Sequence, residues 1–391
     1  MRNATPVSVA VLYPRFDHPA IEERYASWQT QMLLQRGQDH IRTAFYELDE
    51  PAMDVVGDID DEHILVITDP LLLPGSALGA RLRGILQTTG AAAAVPLTNE
   101  AGHPRQKHGP PLPYLTLREL QEAIDHFAQQ PGTPERVTWD HSDPAVYLCR
   151  TQLLDDVPVP LAGALNGRDV AIASNEYVHR WSSLRGQTRY DLLDRISRDA
   201  RAILEFGCGE APLGAALKKR QKCRVVGIEL DPAAAAIAAK RIDSVYRGDV
   251  REIVSILDET FDWIIGGDIV EHLDEPWSFL SELRRVAAPG AHLLLSMPNL
   301  SNGSIVADLL RGRFDYAYMG LTCVGHLRFF TRQTLIDMLT IAGWTVAAIT
   351  PQEAVATPAR DALIAALDTS GYPYAKEDLL PTGYYVIATN G

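Results

Sequence analysis

Short apolar runs recur along the chain, each bounded by turn-forming residues. Residues 7–12 (VSVAVL) alternate weakly and predict a strand, and residues 19–36 carry a helical period that stops at Gly37. Residues 63–68 (HILVIT) predict a buried strand. A helix over 76–88, a strand at 92–95, a helix over 116–130 and strands at 145–149 and 169–173 follow. Residues 47–62 are strongly acidic and 99–113 are rich in Gly, Pro and His, so both read as loops. Strands alternating with helices predict an α/β domain over residues 1–180.

The pattern is sharper over 181–391. Residues 181–200 have helical spacing, and Ile203-Leu204-Glu205-Phe206 reads as the end of a strand. Gly207-Cys208-Gly209 then permits a turn, and Pro212 suits the first turn of a helix reaching about Lys219. Further strands are predicted at 224–229, 244–250, 261–268 and 292–299, with helices over 232–241 and 276–287. Thr331 is placed to cap a helix to Ala342. Residues 344–349 and 383–389 predict the last two strands, the final one antiparallel. The expected architecture is an α/β, Rossmann-like, seven-stranded sheet joined to an N-terminal α/β domain.

Composition sets limits on partners. A chain of 391 residues exceeds what one core usually organises, which favours two domains, 1–180 and 181–391. A net charge of −14 argues against a nucleic-acid partner, because a phosphate backbone needs a cationic surface. Cys149, Cys208, Cys223 and Cys323 are widely spaced and form no zinc pattern, so a reduced, cytoplasmic setting is expected. The first residues lack a basic stretch followed by an apolar core, and no apolar run approaches the ~20 residues of a membrane span.

The charges around the glycine turn choose its ligand. A dinucleotide site uses G-x-G-x-x-G with no anion near the pyrophosphate, whereas here Pro212 replaces the third glycine and Glu205 and Glu210 flank the turn. Those carboxylates repel phosphate and suit a cationic, phosphate-free nucleoside; S-adenosylmethionine fits that description. Glu229 ends the second strand about 20 residues on, where an acid can accept from both ribose hydroxyls. Asp249 could accept from an adenine amino group while the Val250 N–H donates to the ring.

These segments resemble a class I S-adenosylmethionine-dependent methyltransferase. The resemblance is carried by Glu205-Phe206-Gly207-Cys208-Gly209, Val226-Gly227-Ile228-Glu229-Leu230, Gly248-Asp249-Val250, Asp268-Ile269-Val270-Glu271-His272-Leu273 and Leu283-x-x-Val286-x-x-Pro289-Gly290. Ala211 stands where a third glycine is common. The resemblance implies that the Glu205 turn holds the methionine end, Glu229 the ribose and Asp249 the adenine, with Asp268 and Ile269 lining the cofactor near the sulfonium. Residues 311–316 and 325–331 (GHLRFFT) resemble the segment before the last large helix of bacterial methyltransferases. His272 and His326, each in a segment expected at the pocket mouth, are the candidate bases for an oxygen acceptor. Residues 300–325 are expected to form a substrate-facing lid, with Phe314, Tyr316 and Tyr318 stacking on a ring or packing the lid. Glu271-His272 also resembles a segment of ubiquinone-biosynthesis O-methyltransferases where acids and a histidine can hold a metal. Adjacent residues seldom both reach one ion, so no metal site is expected from Asp268, Glu271 and His272.

Residues 6–180 resemble a family-2, GT-A-type glycosyltransferase domain through residues 64–74, 147–150 and 167–178. The metal-binding Asp-x-Asp of such enzymes is reduced here to Asp69, with Pro70 and Leu71 after it, and Asp155-Asp156 is a poor substitute for their acidic base. A single carboxylate is a weak Mg²⁺ or Mn²⁺ site, so a degenerate domain is expected. It could bind a sugar-bearing substrate, support a homo-oligomer or stabilise its neighbour. The leading expectation is O-methylation of a sugar, glycoconjugate or related hydroxylated small molecule. The alternatives are a bifunctional glycosyltransferase/methyltransferase and a non-catalytic S-adenosylmethionine-binding assembly protein.

Overall fold

The structure is a computed structural model and describes residues 9–15, 20–35, 41–46, 62–100, 103–110, 112–142, 144–154, 163–181 and 186–391. Most of the acidic stretch 47–62, and Asp155-Asp156, lie outside the described residues. The chain divides into two compact units. The first comprises Met1–Ser182 with Asp315–Met319, and the second Ser183–Phe314 with Gly320–Gly391.

The first unit is a mixed sheet. Its strands are β1 (Val9–Pro14), β2 (Ile41–Tyr46), β3 (His63–Ile67), β4 (Leu72–Pro74), β5 (Ala93–Thr98), β6 (Glu135–Thr138), β7 (Val146–Arg150) and β8 (Asp169–Arg180). They run in the order β2-β1-β3-β7-β5-β8-β4, with β6 also pairing β8. β1 pairs parallel with β2 and β3, and β5 with β8, whereas β7 is antiparallel to both its neighbours. β3, apolar except for His63, is buried at every position, as a central strand covered on both faces must be. The helix Leu117–Ala128 begins where the sequence marks it, with Thr116 and Glu119 forming a reciprocal capping box.

Asp69, the acid expected at a glycosyltransferase metal site, is otherwise engaged. One oxygen accepts the Leu71 N–H at 2.9 Å, and the other is ion-paired with Arg180, which also holds Glu100. Residues 300–325 do not form the expected lid. Gly303–Leu310 is a packed helix, where a side chain at Gly303 would lie 2.6 Å from Arg360 Cγ. Tyr318 and Ala317 belong to the buried core of the first unit.

The second unit is a seven-stranded sheet of β9 (Ala202–Phe206), β10 (Arg224–Glu229), β11 (Ser244–Arg247), β12 (Phe261–Gly267), β13 (Ala287–Pro298), β14 (Thr345–Pro351) and β15 (Gly383–Thr389). The order is β11-β10-β9-β12-β13-β15-β14, with β15 antiparallel to both neighbours. β9 lies at the point where the order reverses, and the crevice beyond the carboxyl ends there is the usual ligand position of an open α/β sheet. Register fixes which residues meet at that edge. Phe206 aligns with Ile228 and with Gly266, and Gly267 with Ser296. The turn after Phe206, the acid Glu229 and the acid after Gly267 therefore emerge side by side.

Close packing demands some of the glycines. A Cβ at Gly266 would sit 2.1 Å from the ring of Phe206, which is fully buried in the core that also holds Phe279 and Leu295. Gly266→Ala is expected to destabilise this unit by about 1–3 kcal/mol in chemical denaturation. Gly84 is exposed in the first unit's helix Leu78–Thr89, where an added Cβ would meet no neighbour within 4 Å, so Gly84→Ala should stabilise that unit by about 0.5–1 kcal/mol in the same assay.

Candidate functional site

The turn after β9 is shaped by left-handed residues: Gly207 (φ 69°), Gly209 (φ 55°) and Ala211 (φ 56°). Ala211 adopts a conformation that glycine takes without strain, which explains why a glycine is common at this place. The turn is held against β10. The Gly207 and Cys208 N–H groups donate to the Ile228 carbonyl at 2.8 and 3.1 Å. Gly209 N–H donates to Glu229 Oε2 at 2.7 Å, and Asp231 N–H to Glu229 Oε1 at 2.8 Å. A side chain at Gly207 would collide with Ile269, whose Cδ1 lies 2.3 Å from the Cβ position.

Beneath the turn is a cavity of about 620 Å³. Its wall includes Glu205, Gly207, Cys208, Gly209, Asp268 and His272 from the sequence-derived site. Glu229, Leu230, Asp249, Val250, Ile269 and His326 lie outside that wall. Glu229 nonetheless touches it through Gly209, and Ile269 packs under Gly207. Asp249 does not end a strand; it caps the helix Val250–Ile256 by accepting the Arg251 N–H at 2.8 Å. Its carboxylate is also paired with the Arg251 guanidinium at 2.7 Å, and that bond holds its pKa below the usual range.

Glu205 is the unusual member. It is almost wholly buried, and Oε2 has no hydrogen-bond partner. Burial pushes its pKa up to about 8, with the neighbouring Glu229 charge adding to the shift. A cation placed in the cavity would remove this penalty.

A second polar group lining the cavity was missed by the sequence reading. Arg189 binds Asp191 at 2.7 Å and Asp268 at 2.5 Å. Ser296 donates to Asp268 Oδ1 at 2.9 Å, and the Tyr385 hydroxyl donates to Asp191 at 2.8 Å. Asp268 itself is held at φ 54°, left-handed for a non-glycine residue. Residues 181–200 show only helical spacing in sequence, and nothing in that spacing marks Arg189 or Asp191 as cavity residues.

The two candidate bases lie ring to ring, 4.9 Å between centroids, but only His272 lines the cavity. His272 is part of the wall, and its Nδ1 lies 3.0 Å from the Gly325 carbonyl. His326, expected at the mouth, is instead buried, with Nδ1 3.3 Å from the Leu321 carbonyl and its pKa pushed down to about 4 by burial. Segment 325–330 docks inward because the Glu271 carbonyl accepts the Leu327 and Arg328 N–H groups at 2.8 and 3.0 Å. Glu271, His272 and His326 each bring a donor atom within 4.8 Å of the others, as do His103, Asp140 and His141 in the first unit. Glu271 and His272 are adjacent in sequence, and each contributes a donor atom to the first group. Asp268 is not in the group.

The sheet order, the glycine turn and the acids beyond β10 and β12 define a Rossmann-like methyltransferase fold. Residues 178–349 match the family model described as a methyltransferase domain. A probable S-adenosylmethionine-dependent methyltransferase of Mycolicibacterium smegmatis is 31% identical over 148 residues, 37% of this chain and 52% of that protein. A ubiquinone biosynthesis O-methyltransferase of Hahella chejuensis is 27% identical over 157 residues, 36% of this chain and 65% of that protein. The chain thus spans between half and two thirds of the length of these relatives. Among solved structures, an S-adenosylmethionine-dependent methyltransferase from Archaeoglobus fulgidus shares 17% identity, covering 49% of this chain and 87% of that one with a TM-score of 0.37. Residues 178–349 are thus similar to methyltransferase domains, including one described as S-adenosylmethionine-dependent.

The Glu205 shift has a sign that can be measured without ligand. An acid whose pKa rises on folding adds stability below its unfolded pKa and loses it as pH climbs through the folded one. Wild-type protein should therefore lose stability relative to Glu205→Gln between pH ~4.5 and ~8, with a constant deficit above, in denaturant titrations across that range.

Proposed function

We propose that the protein transfers the methyl group of S-adenosylmethionine to an oxygen of a small hydroxylated acceptor, a sugar, glycoconjugate or related metabolite. The observation that carries this reading is Glu205, a buried carboxyl with an unpartnered oxygen at the wall of a cavity under a glycine turn. It suits the ammonium end of the methionine moiety, and its charge opposes a phosphate ligand. Glu229, already fixed by two backbone N–H groups, retains lone pairs for ribose hydroxyls. The Arg189–Asp268–Ser296 network holds the acid after β12 in place beside the reacting centre.

When bound, the cofactor supplies an activated methyl group that passes in line to the acceptor, leaving neutral S-adenosylhomocysteine. The chain aligns the two reactants, which accounts for most of the acceleration in such displacements. An oxygen acceptor must also lose its proton. His272, in the cavity wall with its ring fixed by the Gly325 carbonyl, is assigned to that side of the reaction. His326 supports it from the interior. Ubiquinone biosynthesis O-methyltransferases among the relatives favour oxygen as the acceptor atom. A sugar-transfer activity of the first unit gains no support, since the Asp69 carboxylate is held by Arg180.

Calorimetry should show S-adenosylmethionine binding one site per chain. Glu229→Ala should weaken it roughly 10- to 100-fold, the loss expected when charged hydrogen bonds are removed; undiminished affinity would refute the assignment. Because a bound cation favours ionised Glu205, wild-type affinity should rise with pH and level off above ~8, and Glu205→Gln should flatten that profile. His272→Ala should lower kcat at least ~100-fold with little change in cofactor affinity.

A further inference from the structure

We infer that the cavity extends beyond the cofactor turn into an acceptor subsite that takes a non-aromatic polyol, neutral or amine-bearing, and turns away carboxylates and phosphates. Gln352 and Glu353 are its specificity-determining residues. The inference rests on the proposed methyl transfer, whose acceptor it narrows.

Topology puts these residues at the edge where the ligand lies. β14 ends at Pro351 opposite Tyr384, and Gly383 at the start of β15 lies opposite Pro298 at the end of β13. The segments after β14 and before β15 therefore emerge at the carboxyl edge of the sheet, as the turn after β9 does. From those segments Gln352, Glu353 and Thr382 share one cavity wall with Glu205 and His272. Backbone bonds hold them there. Gln352 N–H donates to the Gly383 carbonyl at 2.8 Å, and Thr382 N–H to the Glu353 carbonyl at 3.0 Å. The Gln352 amide lies flat on Gly383, its Oε1 only 2.6 Å from where a Cβ would stand.

Bonding capacity defines the ligand. The side chains of Gln187, Gln352 and Glu353 line the cavity and make no hydrogen bond among the described residues. The Thr382 hydroxyl donates to the Glu353 carbonyl at 3.0 Å and the Tyr385 hydroxyl to Asp191 at 2.8 Å, so each keeps lone pairs to offer. The Arg189 guanidinium is engaged by Asp191, Asp268 and Ser296. Acceptors on this side of the cavity thus outnumber free donors, which lie chiefly on the two amides. A polyol or amino-polyol supplies O–H and N–H donors to those lone pairs. A carboxylate or phosphate supplies only more acceptors, and polar groups left unmatched in a site are the strongest source of discrimination.

Charge and shape point the same way. Asp191 and Asp268 share Arg189, and Glu210 is 3.2 Å from Arg241. Glu353 has no such cation beside it among the described residues, so its charge opposes an anionic acceptor. Tyr385 is the one phenol ring in the wall, and the Arg195 guanidinium already stacks on it, 3.6 Å from the centroid. An aromatic acceptor therefore finds little to stack on.

The test uses the full chain with S-adenosylmethionine and follows release of S-adenosylhomocysteine over a panel of neutral hexose glycosides, amino-sugar glycosides, hexuronates, hexose phosphates and catechols. Neutral or amino glycosides should be methylated, with kcat/KM at least ~10-fold above matched hexuronates. Glu353→Gln should narrow that ratio roughly 5-fold, and high salt should narrow it in the wild type. Gln352→Leu should raise KM for the glycosides roughly 10-fold, with cofactor affinity in calorimetry unchanged. Both positions are at least partly open to solvent, and the same calorimetry shows that each variant is folded. Equal kcat/KM for neutral and acidic sugars in the wild type, or an unchanged KM in Gln352→Leu, overturns the subsite. Methylation of catechols with every carbohydrate untouched overturns it and leaves oxygen methylation standing. Cofactor binding with no panel member methylated overturns the subsite alone, whereas failure to bind the cofactor overturns the proposed function with it.

Discussion

A carboxyl group buried without a full set of partners is the constraint around which the second unit is arranged. Glu205 sits on the central strand, where β9 is flanked by β10 and β12, so it cannot turn to solvent. Keeping it there costs stability in proportion to its ionised fraction. The surrounding structure accepts that cost and adds another acid, Glu229, locked to the same turn. A fold that concentrates unsatisfied negative charge at the carboxyl edge of its sheet is pre-organised for a cation. Its affinity then comes from relief of a penalty already incurred, and little rearrangement is needed on binding.

Backbone geometry enforces this arrangement. Gly207 admits Ile269 beneath the turn, Gly266 admits Phe206, and Gly227 admits Cys208, whose Sγ lies 2.6 Å from the Cβ position. Each close approach draws two segments of the cavity together. The strained Asp268 is then caught between Arg189 and Ser296, which neutralise it while Glu205 remains unpaired. Two acids close to one cavity thus have different environments, one ion-paired and one desolvated.

Much of this was legible in the chain. The strand at 224–229 and the last strand at 383–389 coincide with β10 and β15, because both are sharply bounded by polar or turn residues. Pro212, Asp231-Pro232 and Thr331 mark helix starts through chemistry that acts locally. What could not be read depends on long-range packing. β2, β4 and β6 are short or polar and owe their strand form to neighbours far away in sequence. Arg189 and Asp191 matter only because Tyr385, some 194 residues on, closes over them. Asp249 was legible as an acid after the third strand, but its pairing with the next arginine on the same turn was not. His326 follows the same logic: its motif was visible, yet its inward direction depends on the Glu271 carbonyl gathering the backbone at 327 and 328.

β15 is the last strand in sequence but not the last in space, for it lies between β13 and β14. On a growing chain, β14 emerges before it has any strand in this sheet to pair with, and it must wait until residues 383–389 fill the gap. Tyr385 of that strand also completes the cavity wall. The ligand site therefore cannot be finished until residues 383–389 have been made. An incomplete copy ending before β15 would expose an unpaired edge on β13 and hold no completed pocket, so that loss of the final strand would yield an aggregation-prone chain and not a partly active one.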